Sequence, residues 1–105
     1  MATEDKKRTL HKATVTRVLD GDGSASHAQR RAAYDNAVLA EPLSTLVNKV
    51  AKYAYTITDE NISAARASGL SEDELFEIII CAAVGQATRQ YETALLVLEA
   101  VTQKE

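Results

Sequence analysis

The chain contains no tryptophan, one cysteine and one proline among its 105 residues. A single cysteine excludes an internal disulfide. No apolar run approaches the roughly 20 residues that a membrane span needs, so we expect no membrane partner. The first residues, Met1 to Lys7, are charged and lack the apolar segment of a signal peptide, which predicts a cytoplasmic location.

Basic residues are few after residue 42: this part of the sequence contains five Lys or Arg and nine Asp or Glu. A nucleic-acid surface needs clustered basic groups that displace counterions from phosphates. The one basic cluster lies near the start of the chain and contains no aromatic residue, and we interpret it as a solvated helix face. Its members are Lys6, Lys7, Arg8 and Lys12. The sequence therefore predicts no nucleic-acid partner.

Apolar residues recur at helical spacing, and the one β-branched alternation, from Tyr53 to Thr58, is short. This pattern predicts an all-α fold, a single-domain bundle of about five helices over residues 1–105. We expect an N-terminal helical pair in 1–41 and a core in 42–105. The first helix is predicted from about residue 4 to residue 19, because Gly21 and Gly23 follow it.

The second helix is predicted to begin behind Ser24 or Ser26 as N-cap and to run until Glu41-Pro42 interrupts it. It would turn four residues inward: Ala32, Ala33, Ala37 and Val38. The third would begin at Pro42 and bury a stripe at helical spacing. That stripe consists of Leu43, Leu46, Val47, Val50 and Ala54.

Two cap patterns predict the remaining helices. Thr58 with acidic residues behind it begins a short fourth helix, and Gly69 supplies the left-handed position that ends it. Ser71 opens the fifth helix, with Glu74 completing a capping box.

The fifth helix is apolar on more than one side. Projection at 100° per residue predicts a core stripe of Phe76, Ile79, Ala83, Ala87, Ala94, Val97, Leu98 and Val101. Ile78, Ile80 and Val84 fall outside this stripe, which is typical of a helix central in a bundle or covered by a second subunit. The small residues Ala82, Ala83, Gly85 and Ala87 would let another helix approach closely.

Polar residues also fall near the predicted core side. Gln86 and Gln90 lie on it and Arg89 lies at its edge, and buried polar groups must find partners. A structural hydrogen-bond network or a subunit interface would satisfy them, and so would the lining of a small-molecule pocket. With Tyr53, these three are the candidate pocket residues, and no catalytic residue is predicted.

Other chemical motifs are weak. Cys81 lies one turn after Glu77, and a nearby carboxylate raises a thiol pKa, so a packed or interface cysteine is favoured over a nucleophile. Asp20 to Ser24 resembles the opening of a calcium loop but lacks its later ligands, and a flexible connection is the plainer interpretation. His11 and His27 have no spaced metal-ligand partner and are interpreted as surface residues. We expect no metal and no cofactor.

One stretch resembles a known superfamily. A short helix ends in Ala64-Ala65-Arg66-Ala67-Ser68-Gly69-Leu70-Ser71, and an acidic turn, Glu72 to Glu77, leads to the small residues Ala82 to Gly85. This arrangement is similar to the alkylhydroperoxidase D and carboxymuconolactone decarboxylase superfamily over about residues 43–101. The resemblance implies a helical fold that assembles into trimers or hexamers. Hydroperoxide-reducing members carry Cys-x-x-Cys-x-x-x-His where this chain has Tyr53-Ala-Tyr-Thr-Ile-Thr, so that activity does not transfer.

Three functions remain open at this point. The first is a protein without CxxC chemistry that binds a small organic molecule in a helical or inter-subunit pocket. The second is a non-catalytic module for homo-oligomerisation, as a trimer, hexamer or dimer, or for binding another protein. The third, ranked last, is residual peroxidase chemistry through Cys81. Whether the protein is an enzyme is left open.

Overall fold

The computed structural model describes residues 2–37 and 39–103, with side chains from Lys6 onward. The helices are α1 (Ala2–Asp20), α2 (His27–Tyr34), α3 (Leu43–Lys52), α4 (Asp59–Ala67) and α5 (Glu72–Gln103), with a short 3-10 helix at Ala54–Thr56. These described residues contain no strand, so the predicted all-α bundle of about five helices is confirmed. The inward placement predicted for Val38 lies outside the described residues.

Helix α5 is the centre of the bundle, because α2 and α3 both pack against it. Its buried residues are Leu75, Ile78, Cys81, Ala82, Gly85 and Thr88. The predicted core stripe is therefore wrong, since Phe76 is 64% exposed while Ile78 is fully buried. The cause is that the helix is apolar on nearly all sides. Its own sequence therefore does not determine which face is buried, and the packing of the neighbouring helices does.

Helix α2 approaches α5 closely at Gly85. A Cβ atom added at Gly85 would overlap the carbonyl oxygen of Tyr34, the last residue of α2. The prediction that small residues admit a neighbouring helix is confirmed here. It does not extend to Ala83 and Ala87, which are exposed.

Helix α2 ends at Tyr34, well before the predicted interruption at Glu41-Pro42. Asn36 adopts a left-handed conformation with φ 53°. Its N–H donates to the Ala33 carbonyl at 3.2 Å, and the N–H of Ala37 donates to the Ala32 carbonyl at 2.8 Å. These bonds form a Schellman motif with asparagine in the position usually held by glycine. Ala37 is consequently exposed rather than buried.

The predicted starts of the other helices are confirmed. Ser26 caps α2 and Thr58 caps α4, each in a capping box. Ser71 and Glu74 exchange backbone-to-side-chain hydrogen bonds of 3.1 Å at the start of α5. Gly69 has φ 100° after α4. In α3, Leu43, Leu46 and Val47 are buried as predicted and Val50 is half-buried, but Ala51 is buried in place of the exposed Ala54.

The connection between α1 and α2 is held by a buried arginine. Arg30 is only 4% exposed. Its Nε donates to the Ala25 carbonyl at 3.1 Å, and its Nη1 donates to the carbonyls of Val18 and Gly21 at 3.3 and 2.7 Å. A connection expected to be flexible is thus tied to α2 by side-chain hydrogen bonds.

Glu77 of α5 binds the same connection from the other side. Its carboxylate accepts hydrogen bonds from the backbone N–H groups of Ser24 at 2.9 Å and Ala25 at 2.6 Å. A Cβ atom at Gly23 would lie 2.6 Å from Glu77 Oε1, so a larger residue there would push the carboxylate away from its present position. Together, Arg30 and Glu77 fix the path from α1 to α2.

We expect part of the stability of the fold to depend on the ionisation of Glu77. The N–H groups of Ala25 and Ser24 lower the pKa of this carboxyl below its ordinary 4.5, Arg30 adds to the effect, and burial opposes it. A lowered pKa stabilises the fold above the unfolded-state pKa, and this contribution is lost as pH falls through the folded-state pKa. Urea unfolding between about pH 3 and pH 7 should therefore show Glu77→Gln less stable than the wild type at neutral pH, with the difference shrinking in acid. A pH-independent difference would contradict this assignment.

Candidate functional site

A concave surface, the α1–α5 cleft, opens where α5 continues beyond the end of α2. Its volume is about 670 Å³, within the range of small-molecule sites. The lining residues come mainly from the first four turns of α1 and from α5 after Gly85: Arg8, His11, Lys12, Val15, Thr16, Tyr34, Thr88, Tyr91, Glu92, Leu95, Leu96 and Glu99. None of the candidate pocket residues named from the sequence lies in it.

The polar floor of the cleft is formed by His11, Thr88 and Tyr91. His11 Nε2 lies 2.9 Å from Thr88 Oγ1, and Thr88 Oγ1 donates to the Val84 carbonyl at 2.8 Å. Since the one hydroxyl proton of Thr88 is used in that bond, His11 Nε2 must be the donor to Thr88. The Nδ1 atom of a neutral His11 is then an acceptor, and no hydrogen bond from the described residues reaches it.

Tyr91 stacks beside His11, with ring centroids 5.4 Å apart and the planes inclined by 31°. Its hydroxyl oxygen is buried and has no hydrogen-bond partner among the described residues. An unsatisfied buried hydroxyl costs about 1–3 kcal/mol. The cleft therefore holds two polar groups with unused hydrogen-bonding capacity, at adjacent rings.

The walls of the cleft are apolar and its rim is charged. Val15 and Leu95 are half-buried and Leu96 is 66% exposed. The cationic side chains of Arg8 and Lys12 lie on the α1 side of the rim. The carboxylates of Glu92 and Glu99 lie on the α5 side. Such a surface suits a molecule with an apolar body and one hydrogen-bonding end.

The candidate residues Gln86 and Arg89 lie together and make a structural contact. Arg89 Nη1 donates to the Tyr34 carbonyl at 2.7 Å, and its Nη2 donates to Gln86 Oε1 at 3.2 Å. This pair satisfies the carbonyl at the end of α2, where a cation also complements the helix dipole. The structural-network interpretation accounts for both residues.

The other two candidates lie elsewhere. Gln90 is exposed. Tyr53 is 49% exposed and lines a second open cleft of about 600 Å³ beside α3, together with Lys49 and Thr56. The four candidates are thus not brought into one site.

Cys81 is fully buried on the core face of α5. Burial raises the pKa of its thiol and Glu77 adds to this, whereas Arg30 acts in the opposite direction. Its Sγ lies 3.6 Å from the carbonyl oxygen of Val18. This environment matches the packed cysteine favoured from the sequence, although burial outweighs the carboxylate that the sequence argument invoked.

The two histidines differ in a way that the sequence did not show. His27 is exposed as predicted, but His11 is half-buried and hydrogen-bonded in the cleft, so the surface interpretation of His11 was wrong. Its partner Thr88 is 77 positions away along the chain. Local spacing carries no signal for such a contact.

Two further kinds of feature are absent from the part of the chain that the structure describes. No group of three or more His, Cys, Asp or Glu residues there could hold a metal ion. No helix there has both the length and the apolar composition needed to cross a membrane.

Comparison with known proteins supplies no relative. No protein-family model, curated protein or solved structure matches the chain.

Proposed function

We propose that the protein binds a small organic molecule in the α1–α5 cleft, with His11 and Tyr91 as its polar contacts. The observation that carries this proposal is the buried, unpartnered hydroxyl of Tyr91 beside a histidine in a concave, largely apolar surface. Polar groups without partners inside an apolar cleft are typical of ligand sites. Binding of a small organic molecule is also the first function predicted from the sequence. The residues proposed here, His11 and Tyr91, differ from the pocket candidates named there.

The ligand would have an apolar body and at least one hydrogen-bonding group. The body would lie against Val15 and Leu95, and the polar end would reach the His11 ring. The Tyr91 hydroxyl, on the neighbouring ring, would reach the same group only after a change of side-chain rotamer about Cα–Cβ, because ring rotation leaves the hydroxyl oxygen in place. An anionic end would be placed near Arg8 and Lys12, away from the carboxylates of α5.

The superfamily resemblance is retained as part of this proposal. It supports a helical core over residues 43–101 that binds organic molecules without the CxxC motif. The cleft proposed here adds α1 to that core, because His11 lies on α1.

The test uses the fluorescent anion 1-anilinonaphthalene-8-sulfonate as probe and proton NMR of the two histidines. Adding the probe should shift the ring C2–H resonance of His11, while His27, exposed on α2, serves as control in the same tube. The variants His11→Ala and Leu95→Asp should weaken probe binding at least about tenfold, and His27→Ala should not change it. Equal shifts of both histidines, or binding unaffected by Leu95→Asp, would refute the cleft as the site.

Removing the Tyr91 hydroxyl should stabilise the free protein. Tyr91→Phe deletes an unsatisfied buried group and keeps the ring, so we expect the free energy of unfolding to rise by about 1 kcal/mol. Urea unfolding measures this, with Tyr55→Phe as control because Tyr55 is 86% exposed. A loss of stability in Tyr91→Phe would mean that the hydroxyl is already satisfied.

A further inference from the structure

Helix α5 carries a second row of apolar and small residues, which we name the outer stripe. Its members are Phe76, Ile80, Ala83, Ala87, Gln90, Ala94, Val97 and Val101. All of them are exposed except Ile80, which is half-buried. Successive members are four and three residues apart in alternation, which is the heptad spacing of a helix that packs along another helix.

The outer stripe points away from the core of its own chain. At 100° per residue, its centre lies about 180° around α5 from the buried row that contains Ile78 and Gly85. Helices α2 and α3 cover that buried row. The outer stripe lies on the opposite side of α5 and is exposed apart from the half-buried Ile80, so it is open to a partner.

The outer stripe has a similar order of side-chain sizes when read from either end, except at its central pair. Its outermost members are large, Phe76 and Val101, followed inward by Ile80 and Val97. Further inward come two small residues, Ala83 and Ala94, and the central pair is Ala87 and Gln90. The spacing is also the same in both directions, so a two-fold axis between Thr88 and Arg89 places each residue opposite its counterpart.

We propose that a second copy of this chain docks on the outer stripe, with the two α5 helices antiparallel. An interface with two-fold symmetry requires a patch that is complementary to itself. The outer stripe satisfies this requirement in its spacing and in the sizes of its three outer pairs. Alanines near the axis let the two backbones approach closely, and the larger residues fill the space towards the ends. Beside the axis, Gln90 of each copy would face Ala87 of the other, and its amide can both donate and accept hydrogen bonds.

The charge distribution is compatible with this partner. Between Phe76 and Val101 the charged residues of α5 are Glu77, Arg89, Glu92 and Glu99. Only Glu77 is at a heptad position flanking the stripe, and its carboxylate accepts hydrogen bonds from the backbone of Ser24 and Ala25. The antiparallel arrangement also places the positive N-terminal end of one α5 dipole near the negative C-terminal end of the other, so the two helix dipoles attract each other.

The contact would be small. From Phe76 to Val101 the helix is about 38 Å long, and a strip about 10 Å wide has an area on the order of 400 Å² per copy. Both copies together reach on the order of 800 Å², below the roughly 1,200 Å² at which standard specific interfaces begin and in the range of weak, transient contacts. We therefore expect a dimer that forms at micromolar or higher concentration and exchanges readily with the monomer.

Sedimentation equilibrium tests the docking over a micromolar to millimolar concentration range. The wild type should approach twice the 11.4 kDa of one chain. Ala87→Asp and Ala94→Asp should remain monomeric with unchanged circular dichroism, since both residues are exposed in the single chain. Ala64→Asp, exposed on α4, is the control and should dimerise like the wild type. A monomeric wild type at the highest concentration, or dimers that persist in both stripe variants, would overturn the proposal.

Disulfide trapping tests the orientation in a Cys81→Ala background. In the antiparallel dimer residue 83 of one copy faces residue 94 of the other, so Ala83→Cys with Ala94→Cys should give an interchain disulfide under mild oxidation. Neither single variant should do so. A parallel dimer would link the single variants instead, which would refute the two-fold axis between Thr88 and Arg89. The stripe lies apart from the α1–α5 cleft, so the outcome is independent of ligand binding.

Discussion

Replacing Arg30 by methionine should lower the free energy of unfolding by about 4 kcal/mol. Methionine keeps much of the volume of the side chain but donates no hydrogen bond. The carbonyls of Val18, Gly21 and Ala25 would lose their donor at a residue that is 4% exposed. The cation also stands at the C-terminal end of α1, where it complements the helix dipole.

The adjacent arginine provides the control. Arg31 follows Arg30 in α2 but is exposed, so Arg31→Met should change the free energy of unfolding by less than about 0.5 kcal/mol. Urea unfolding of both variants gives the comparison directly. Arg30→Lys should recover only part of the loss, because an ammonium group cannot reproduce the planar fork of donors. Equal effects of Arg30→Met and Arg31→Met would show that the buried hydrogen bonds contribute little.

Gly85→Ala should lower the free energy of unfolding by about 3 kcal/mol, at the upper end of what overpacking usually costs. The added Cβ would overlap the Tyr34 carbonyl, which is backbone and cannot move aside by a side-chain rotation. Helix α2 would have to shift away from α5. The same shift would weaken the hydrogen bond from Arg89 to that carbonyl.

The sign of the stability change in Gly85→Ala shows whether the glycine is required by the close approach of α2 or is merely tolerated in the helix. At an ordinary helix position, glycine is less stable than alanine by about 1 kcal/mol, so a glycine that is merely tolerated would give a stabilised alanine variant. Ala64→Gly on the exposed face of α4 measures the intrinsic propensity term in this protein. Urea unfolding in which Gly85→Ala is more stable than the wild type would contradict the close approach of α2.

The parts of the fold that could be predicted from the sequence are those set by neighbouring residues. Thr58 and Ser71 mark helix starts because a capping side chain binds N–H groups only three residues away. The end of α2 was missed because Asn36, rather than a glycine, takes the left-handed position. Its signal was present, since asparagine is the usual alternative there.

The buried face of α5 and the candidate site could not be predicted in the same way. The helix is apolar around much of its circumference, so the face that α2 covers depends on where a side chain is missing, at Gly85. The contact between His11 and Thr88 joins residues that are far apart in sequence. Such pairings follow from how whole helices pack, and one sequence read locally does not contain them.

The two ends of α5 should open at very different rates. The half before Thr88 is buried under α2 and α3, whereas from Glu92 to Gln103 only Leu95 is even half-buried. Amide protons in the first half should exchange with solvent only on global unfolding, and those in the last three turns should exchange by local fraying. Part of the α5 wall of the α1–α5 cleft, from Glu92 to Glu99, and the last three members of the outer stripe lie in that end segment. Binding of a ligand in the cleft or of a second copy on the outer stripe should therefore slow amide hydrogen exchange at the C-terminal end of α5. The N-terminal part of the helix is already fixed in the core.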